Sequence, residues 1–405
     1  MKLIEGGVCA AQGFKAAGIH VGIKTNNISK KDLALIAADT NCAAAAVYTK
    51  NIVKAAPLHI TKNHLANGRA RAIIVNSGNA NACAPDGEQN ALRMCKAAAQ
   101  ALGVDETEVI VASTGVIGQR LPIEKIENGV PGLASQLSGE NSCDAASAIM
   151  TTDLKMKQIA METEIGGKPV RIGGIAKGSG MIHPNMGTLL AFLTTDCAIN
   201  REMLQRALAD AANISFNRIS VDGDTSTNDM LCLLSGGMAG NTGIESPGAE
   251  YDAFSGMLNT VCVELAKMMA SDGEGATHLI TCSVGGAASE ADAETLSKSI
   301  ISSTLTKAAI FGADANWGRV LCAMGYSGVE FDPDSVDVAF ESAAGRIMVC
   351  EKGRGLPFDE ELAKKILTEH DITIDVSIGG GKEKCTCWGC DITYDYIKIN
   401  GDYRT

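Results

Sequence analysis

At 405 residues the chain exceeds the length at which one hydrophobic core stops growing, so two domains or one large layered unit is expected. Its 46% hydrophobic and 20% charged residues exclude a disordered chain, and a formal net charge of -12 with no offsetting basic run argues against nucleic acid as a partner. No stretch of about 18 apolar residues occurs, and Glu5, Gly6 and Gly7 interrupt any secretory apolar segment, so no membrane partner is expected and the expected compartment is the cytoplasm.

In chain order, "RAIIVNSGNANA" reads as a buried strand running into a loop, and "DGEQNALRMCKAAAQALG" as a helix with apolar residues at 91, 94, 95, 98, 101 and 102 and Gly103 as its stop. "TEVIVASTGVIG" is a second strand, ending in Thr114-Gly115. "LPIEKIENGVPGLASQL" keeps helical spacing at 123, 126, 130, 133 and 137, with Pro131-Gly132 expected to break it in two. "LKMKQIAMETEIGGKPVRIGGIAKG" predicts a hairpin turned at Gly166-Gly167.

"TLLAFLTTD" is a further strand. "NREMLQRALADAA" and "YDAFSGMLNTVCVELAKMMASDG" are amphipathic helices separated by strand-like "NRISVDG" and "DMLCLLSGG". Alternation continues through "VDVAF", "RIMVC", a helix near 358 to 369, "DITIDVSIG" and "CDITYDYIKING". The fold class is layered α/β, with largely antiparallel sheets covered by helices and not a doubly wound parallel sheet.

The fourteen cysteines are scattered singly, mostly in apolar stretches, and read as buried reduced thiols. "CTCWGC", with Cys385, Cys387 and Cys390, lacks a second ligand pair, so no metal is expected. "GGIAKGSG" has the order Lys177-Gly178-Ser179, which is not that of a phosphate-binding Walker loop. In "DGDTSTNDMLCL", Asp222 and Asp224 mimic a calcium loop, but Thr227 and Leu233 occupy the positions that need glycine and glutamate. That segment reads as a polar loop, with an active-site role left open.

None of the six histidines falls in a Ser/His or Cys/His signature. A threonine can act without one if it is itself an N-terminus, because its α-amine, with a pKa near 8, takes the hydroxyl proton. Reaching that state inside a chain requires the preceding bond to be cut by attack of the hydroxyl on the carbonyl before it, and a glycine there eases the strained approach. Gly187-Thr188 in "KGSGMIHPNMGTLLAFLTTD" has this form. The same dipeptide also fits a turn glycine followed by the first residue of a buried strand, and residue chemistry alone leaves both readings open.

The segment "KGSGMIHPNMGTLLAFLTTD" resembles the processing site of the ornithine acetyltransferases, also called bifunctional glutamate N-acetyltransferases, of arginine biosynthesis. The likeness runs nearly end to end, through "NSGNANA", "ASTGVIG", "AIMTTD", "VDGDTSTND", "SDGEGATHL", "FGADANWGRV" and "WGCDITYDYIKINGDYRT". It implies self-cleavage between Gly187 and Thr188 into an α chain of residues 1–187 and a β chain of residues 188–405 headed by the nucleophile Thr188. It further implies an oxyanion hole at Thr114 and Gly115, and substrate contacts at Thr151 or Thr152, Lys177, Thr188, Glu274, Asn400 and Thr405.

The implied fold is an αββα-type sandwich with a smaller α/β lobe, assembled as a heterotetramer of two α and two β chains. The implied reaction moves acetyl from N2-acetylornithine to glutamate without a cofactor, and acetyl-CoA as an alternative donor stays open. Two features depart from the family pattern: Gly187 stands where alanine is frequent, and Cys385 and Cys387 are unusual. An amidase or aminopeptidase with an N-terminal nucleophile, and a non-catalytic amino-acid-binding protein with an intact Gly187-Thr188 bond, are the alternatives.

Overall fold

The protein is described from a computed structural model covering residues 1–24, 29–183 and 189–401. Among these residues two sheets form, of nine and seven strands. The nine-stranded sheet runs Lys2–Ile4, Lys157–Ile165, Lys168–Lys177, Leu190–Thr195, Met230–Ser235, Leu33–Tyr48, Arg69–Asn79, Val109–Val116, with Phe14–Ile19 also paired to Leu33–Tyr48.

The long strand Leu33–Tyr48 is what shapes this sheet. Its first part pairs with Phe14–Ile19 and Arg69–Asn79, its last part with Met230–Ser235, and the register against Arg69–Asn79 shifts between Ala37 and Cys42, where Asp39 and Asn41 are exposed. An irregularity of this kind bends a strand and tightens its twist. The sheet therefore doubles back on itself. Ile73, Val75 and Ile110 from one half meet Leu190, Phe192, Met230 and Cys232 from the other in one inner core.

Successive residues of a strand face opposite sides, so the alternate positions form the outer layers. Leu35, Ile74, Val109 and Val111 pack on helices Gly87–Leu102 and Ile123–Ser135. On the other side, Ala191, Leu193, Leu231 and Leu233 pack on Arg201–Ile214 and Ala249–Ser271. The order helix, sheet, sheet, helix is the expected αββα sandwich. Phe192 is fully buried between the two halves of the folded-over nine-stranded sheet. Phe192→Ala is expected to cost about 3–5 kcal/mol, read as a lowered urea midpoint.

The smaller lobe carries the seven-stranded sheet, in the order Arg354–Gly355, Gly345–Glu351, Asp337–Ser342, Asp371–Ser377, Leu279–Ala287, Glu383–Cys390, Ile219–Ser220. Helices Glu290–Ser302, Trp317–Gly325 and Glu360–Leu367 share its core. Only four strand pairings among the described residues are parallel, so both sheets are largely antiparallel, as anticipated.

Gly166 and Gly167 form the hairpin turn with φ of 57° and 72°, the left-handed pair that a two-residue turn between twisted strands requires. Two local expectations fail. Ile123–Ser135 is one helix with Pro131 inside it, because Ile126, Val130 and Leu133 all bury in the same core and outweigh the local penalty of the proline. "NRISVDG" supplies only the two-residue strand Ile219–Ser220.

After strand Glu383–Cys390 the last element among the described residues is helix Tyr394–Gly401, which docks on Gly275. A Cβ on Gly275, whose φ is +68°, would lie 2.7 Å from the Tyr396 nitrogen, so only glycine lets the two segments approach.

Candidate active site

Strands Arg69–Asn79 and Val109–Val116 run parallel with Gly78 opposite Gly115. Both have left-handed φ, 102° and 132°, and a Cβ on Gly115 would sit 2.3 Å from the Gly78 carbonyl carbon. This explains a glycine in both "NSGNANA" and "ASTGVIG". Asn228 pins the two strand ends together: its Nδ2 donates to the carbonyls of Ala80, at 2.6 Å, and Ser113, at 2.8 Å. Thr114, next to that clamp, is buried.

Lys177 ends strand Lys168–Lys177 and reaches across, donating from Nζ to Thr114 Oγ1 at 3.3 Å. Glu274 accepts from Asn400 Nδ2 at 2.7 Å. A Cβ on Gly180 would lie 2.3 Å from the Glu274 carboxylate, so the glycine makes room for it. Thr114, Gly115, Thr151, Thr152, Lys177, Glu274 and Asn400 all border one cavity of about 250 Å³, with Ser226, Thr227 and Asn228 on its wall. Pockets for drug-sized ligands measure roughly 300–1,000 Å³, so this space suits a smaller molecule, the size of an amino-acid derivative.

A buried ionic layer lies under the cavity. The Lys157 Nζ is 2.6 Å from Asp153 Oδ1 and 2.6 Å from Asp272 Oδ2. Burial alone would raise the Asp153 pKa, but the ammonium groups of Lys157 and Lys177 and the hydrogen bonds it accepts hold it below the ordinary carboxylate range. Burial lowers the pKa of Lys177, Asp153 pulls it back up, and Lys157 pushes it further down. Lys24, bonded to the carbonyls of Met150 and Lys31, is brought to about 8 by burial. Asp229, buried beside the start of strand Leu190–Thr195, is raised well above its usual value by the same cause, and its Oδ2 has no partner among the described residues.

Gly187, Thr188 and Thr405 lie outside the described residues; His183 and Leu189 flank the first two. The Leu189 side chain is buried, and Leu190 is the register partner of Lys177.

The sequence reading missed Asn228, Lys157 and Asp272. Asn228 had a signal in the polar run "DGDTSTND". Lys157 had a weaker one: it is in phase with the inward-facing Ile159, so a charge stands where the strand pattern calls for an apolar residue. Most cysteines, Cys385 and Cys387 included, are buried, and the latter two lie in the core of the smaller lobe. Burial pushes the thiols of Cys42 and Cys95 up to about 12, which makes them unreactive. Among the described residues no helix is long and apolar enough to cross a membrane.

The family model described as "ArgJ family" matches residues 15–405. The "Arginine biosynthesis bifunctional protein ArgJ" of Symbiobacterium thermophilum is 50% identical over 406 residues, covering all of both chains. "ArgJ 1" of Clostridium acetobutylicum is 50% identical over 393 residues, 97% of this chain and 96% of that one. A crystal structure of the Bacillus halodurans bifunctional protein argJ aligns with a TM-score of 0.50 and 44% identity, covering 97% of that chain but 52% of this one. With a match of this length and identity, the chain belongs to the ArgJ family, the ornithine acetyltransferase family of arginine biosynthesis.

Proposed function

We propose that this enzyme moves an acetyl group from N2-acetylornithine to glutamate through an acetyl ester on Thr188, after cutting itself between Gly187 and Thr188. In the cut, the Thr188 hydroxyl adds to the Gly187 carbonyl, the peptide nitrogen leaves as an amine, and water opens the resulting ester. The new terminus carries hydroxyl and amine on one residue, so no histidine is needed.

In turnover the α-amine of Thr188 takes the hydroxyl proton as the oxygen attacks the acetyl carbonyl. Thr114 and Gly115 stabilise the oxyanion, and the departing ornithine nitrogen receives the proton. Glutamate then enters, its α-amine attacks the ester, and Thr188 leaves with the proton restored. Lys177 holds the substrate carboxylate, Glu274 the side-chain ammonium of ornithine, and Thr151 or Thr152, Asn400 and Thr405 complete the pocket.

The observation that carries this reading is convergence. Thr114, Gly115, Thr151, Thr152, Lys177, Glu274 and Asn400, drawn from both sides of the Gly187-Thr188 bond, border a single amino-acid-sized cavity with a cation and an anion on its wall. Division of the chain has separate support: the solved Bacillus halodurans chain spans about half of this one, whereas full-length relatives match from end to end.

A covalent acetyl-enzyme requires ping-pong kinetics, so double-reciprocal plots with acetylornithine and glutamate varied together are expected to be parallel. Intersecting lines would exclude the shared ester. Acetate release that does not depend on glutamate would make the protein an amidase instead.

A further inference from the structure

Lys157 is 1% exposed, and its three N–H bonds are all used: on Asp153 Oδ1 and Asp272 Oδ2, each at 2.6 Å, and on the Lys155 carbonyl at 3.2 Å. Its two carboxylate partners are tied in turn to the cavity wall. Asp153 accepts from the Thr151 nitrogen at 2.9 Å and the Gly178 nitrogen at 2.8 Å. The Asp272 carbonyl accepts from Ser179 Oγ at 2.6 Å, and the Ser179 carbonyl from the Glu274 nitrogen at 2.8 Å. One ammonium thus lies where the segments bearing Thr151, Lys177 and Glu274 meet.

The arrangement also decides which cation Asp153 uses. Asp153 bonds the residue next to Lys177 and, of the charged groups around Lys177, acts on it most strongly. A buried carboxylate must be paired. Without a second cation, Lys177 would have to pair with it. With Lys157 in place, the Lys177 ammonium, among the described residues, forms no ion pair and donates only to the neutral Thr114 hydroxyl.

We propose that Lys157 is a positioning residue for substrate recognition: by occupying Asp153 and Asp272 it keeps the Lys177 ammonium free for the carboxylate of the acyl-amino-acid donor. The inference rests on the role given to Lys177 above. It assigns Lys157 no contact with substrate and no part in the chemical steps.

The test compares two acetyl donors, N2-acetylornithine and N-acetylputrescine, which has the same acetamide and side-chain amine without the carboxylate. The ratio of their kcat/KM values measures carboxylate recognition, and a general loss of packing cancels from it. Lys157→Gln is expected to narrow that ratio at least tenfold, mainly through a raised KM for acetylornithine. Adding Asp153→Asn, which removes the competing carboxylate, should bring the ratio back to within about threefold of the parent enzyme, and this double variant has one fewer buried carboxylate to compensate than the single one, which guards the comparison against misfolding.

A ratio that stays within threefold of the parent in Lys157→Gln, with both donors slowed alike, would overturn the proposal. So would a double variant in which the preference is not restored. If the parent enzyme shows no preference, or Lys177→Met leaves the preference intact, the role of Lys177 itself falls. A parent preference that disappears in Lys177→Met but not in Lys157→Gln overturns the proposal for Lys157 alone.

Discussion

Thr188→Ala is expected to leave the chain undivided on a denaturing gel and to lower acetyl transfer by roughly 10⁴-fold or more, the scale on which removing a nucleophile silences a whole catalytic unit. The substitution strips hydroxyl and methyl from Cβ, and with them two catalytic groups at once. The attacking oxygen is gone, and because the Gly187-Thr188 bond then stays intact, the nitrogen of residue 188 remains an amide with no basic lone pair. Thr188→Ser separates the two contributions, since it keeps a hydroxyl and can still expose an amine. It should be cleaved and retain transfer within about 100-fold of the parent, because the missing methyl affects only orientation. Transfer by Thr188→Ala within tenfold of the parent would remove this residue from the mechanism.

Gly115→Ala should come next in severity, with kcat down on the order of 10²–10³-fold, the cost of losing one oxyanion donor. The reason is backbone geometry. The φ of Gly115 is +132°, and an added Cβ would meet the Gly78 carbonyl carbon at 2.3 Å and the Asn79 nitrogen at 2.5 Å. Both obstacles are backbone in the adjacent strand, held by the Asn228 clamp, so neither can yield cheaply. The peptide after Thr114 must therefore move. Gly118→Ala tests the specificity of the argument, because its φ is also positive, at +81°, but an added Cβ meets nothing within 4 Å. Its effect on kcat should be less than tenfold. Equal losses in the two variants would show that backbone strain, not displacement of the Thr114-Gly115 peptide, sets the rate.

Local periodicity made much of the fold legible. "RAIIV" and "VIVAS" show strand patterning, and "ALRMCKAAAQAL" a helical face ended by Gly103, because each element's burial is written into neighbouring residues. The doubling back of the larger sheet was not legible. Leu33–Tyr48 is apolar on both sides of "DTN", and nothing local says that its two ends pair with strands some 40 and 190 residues further on. Pro131 misled for the opposite reason: the helical spacing of Ile126, Val130 and Leu133 was visible, but not that their shared burial outweighs a correct local rule.

The site divides the same way. Residue chemistry reached only the open question at Gly187-Thr188. Thr114, Gly115, Lys177, Glu274 and Asn400 came from the family resemblance, and they border one cavity. Lys157 was overlooked by both routes, since its partners lie 4 and 115 residues away and a lone strand lysine, even one in phase with apolar neighbours, ordinarily reads as solvent-facing.

The claim on which all of this turns is that the working enzyme has a second N-terminus. Intact-mass and N-terminal sequence analysis of purified, fully active protein tests it directly. Two chains are predicted, one ending at Gly187 and the other beginning at Thr188, in equal amounts. Undivided chains of residues 1–405 accounting for full activity would contradict the account.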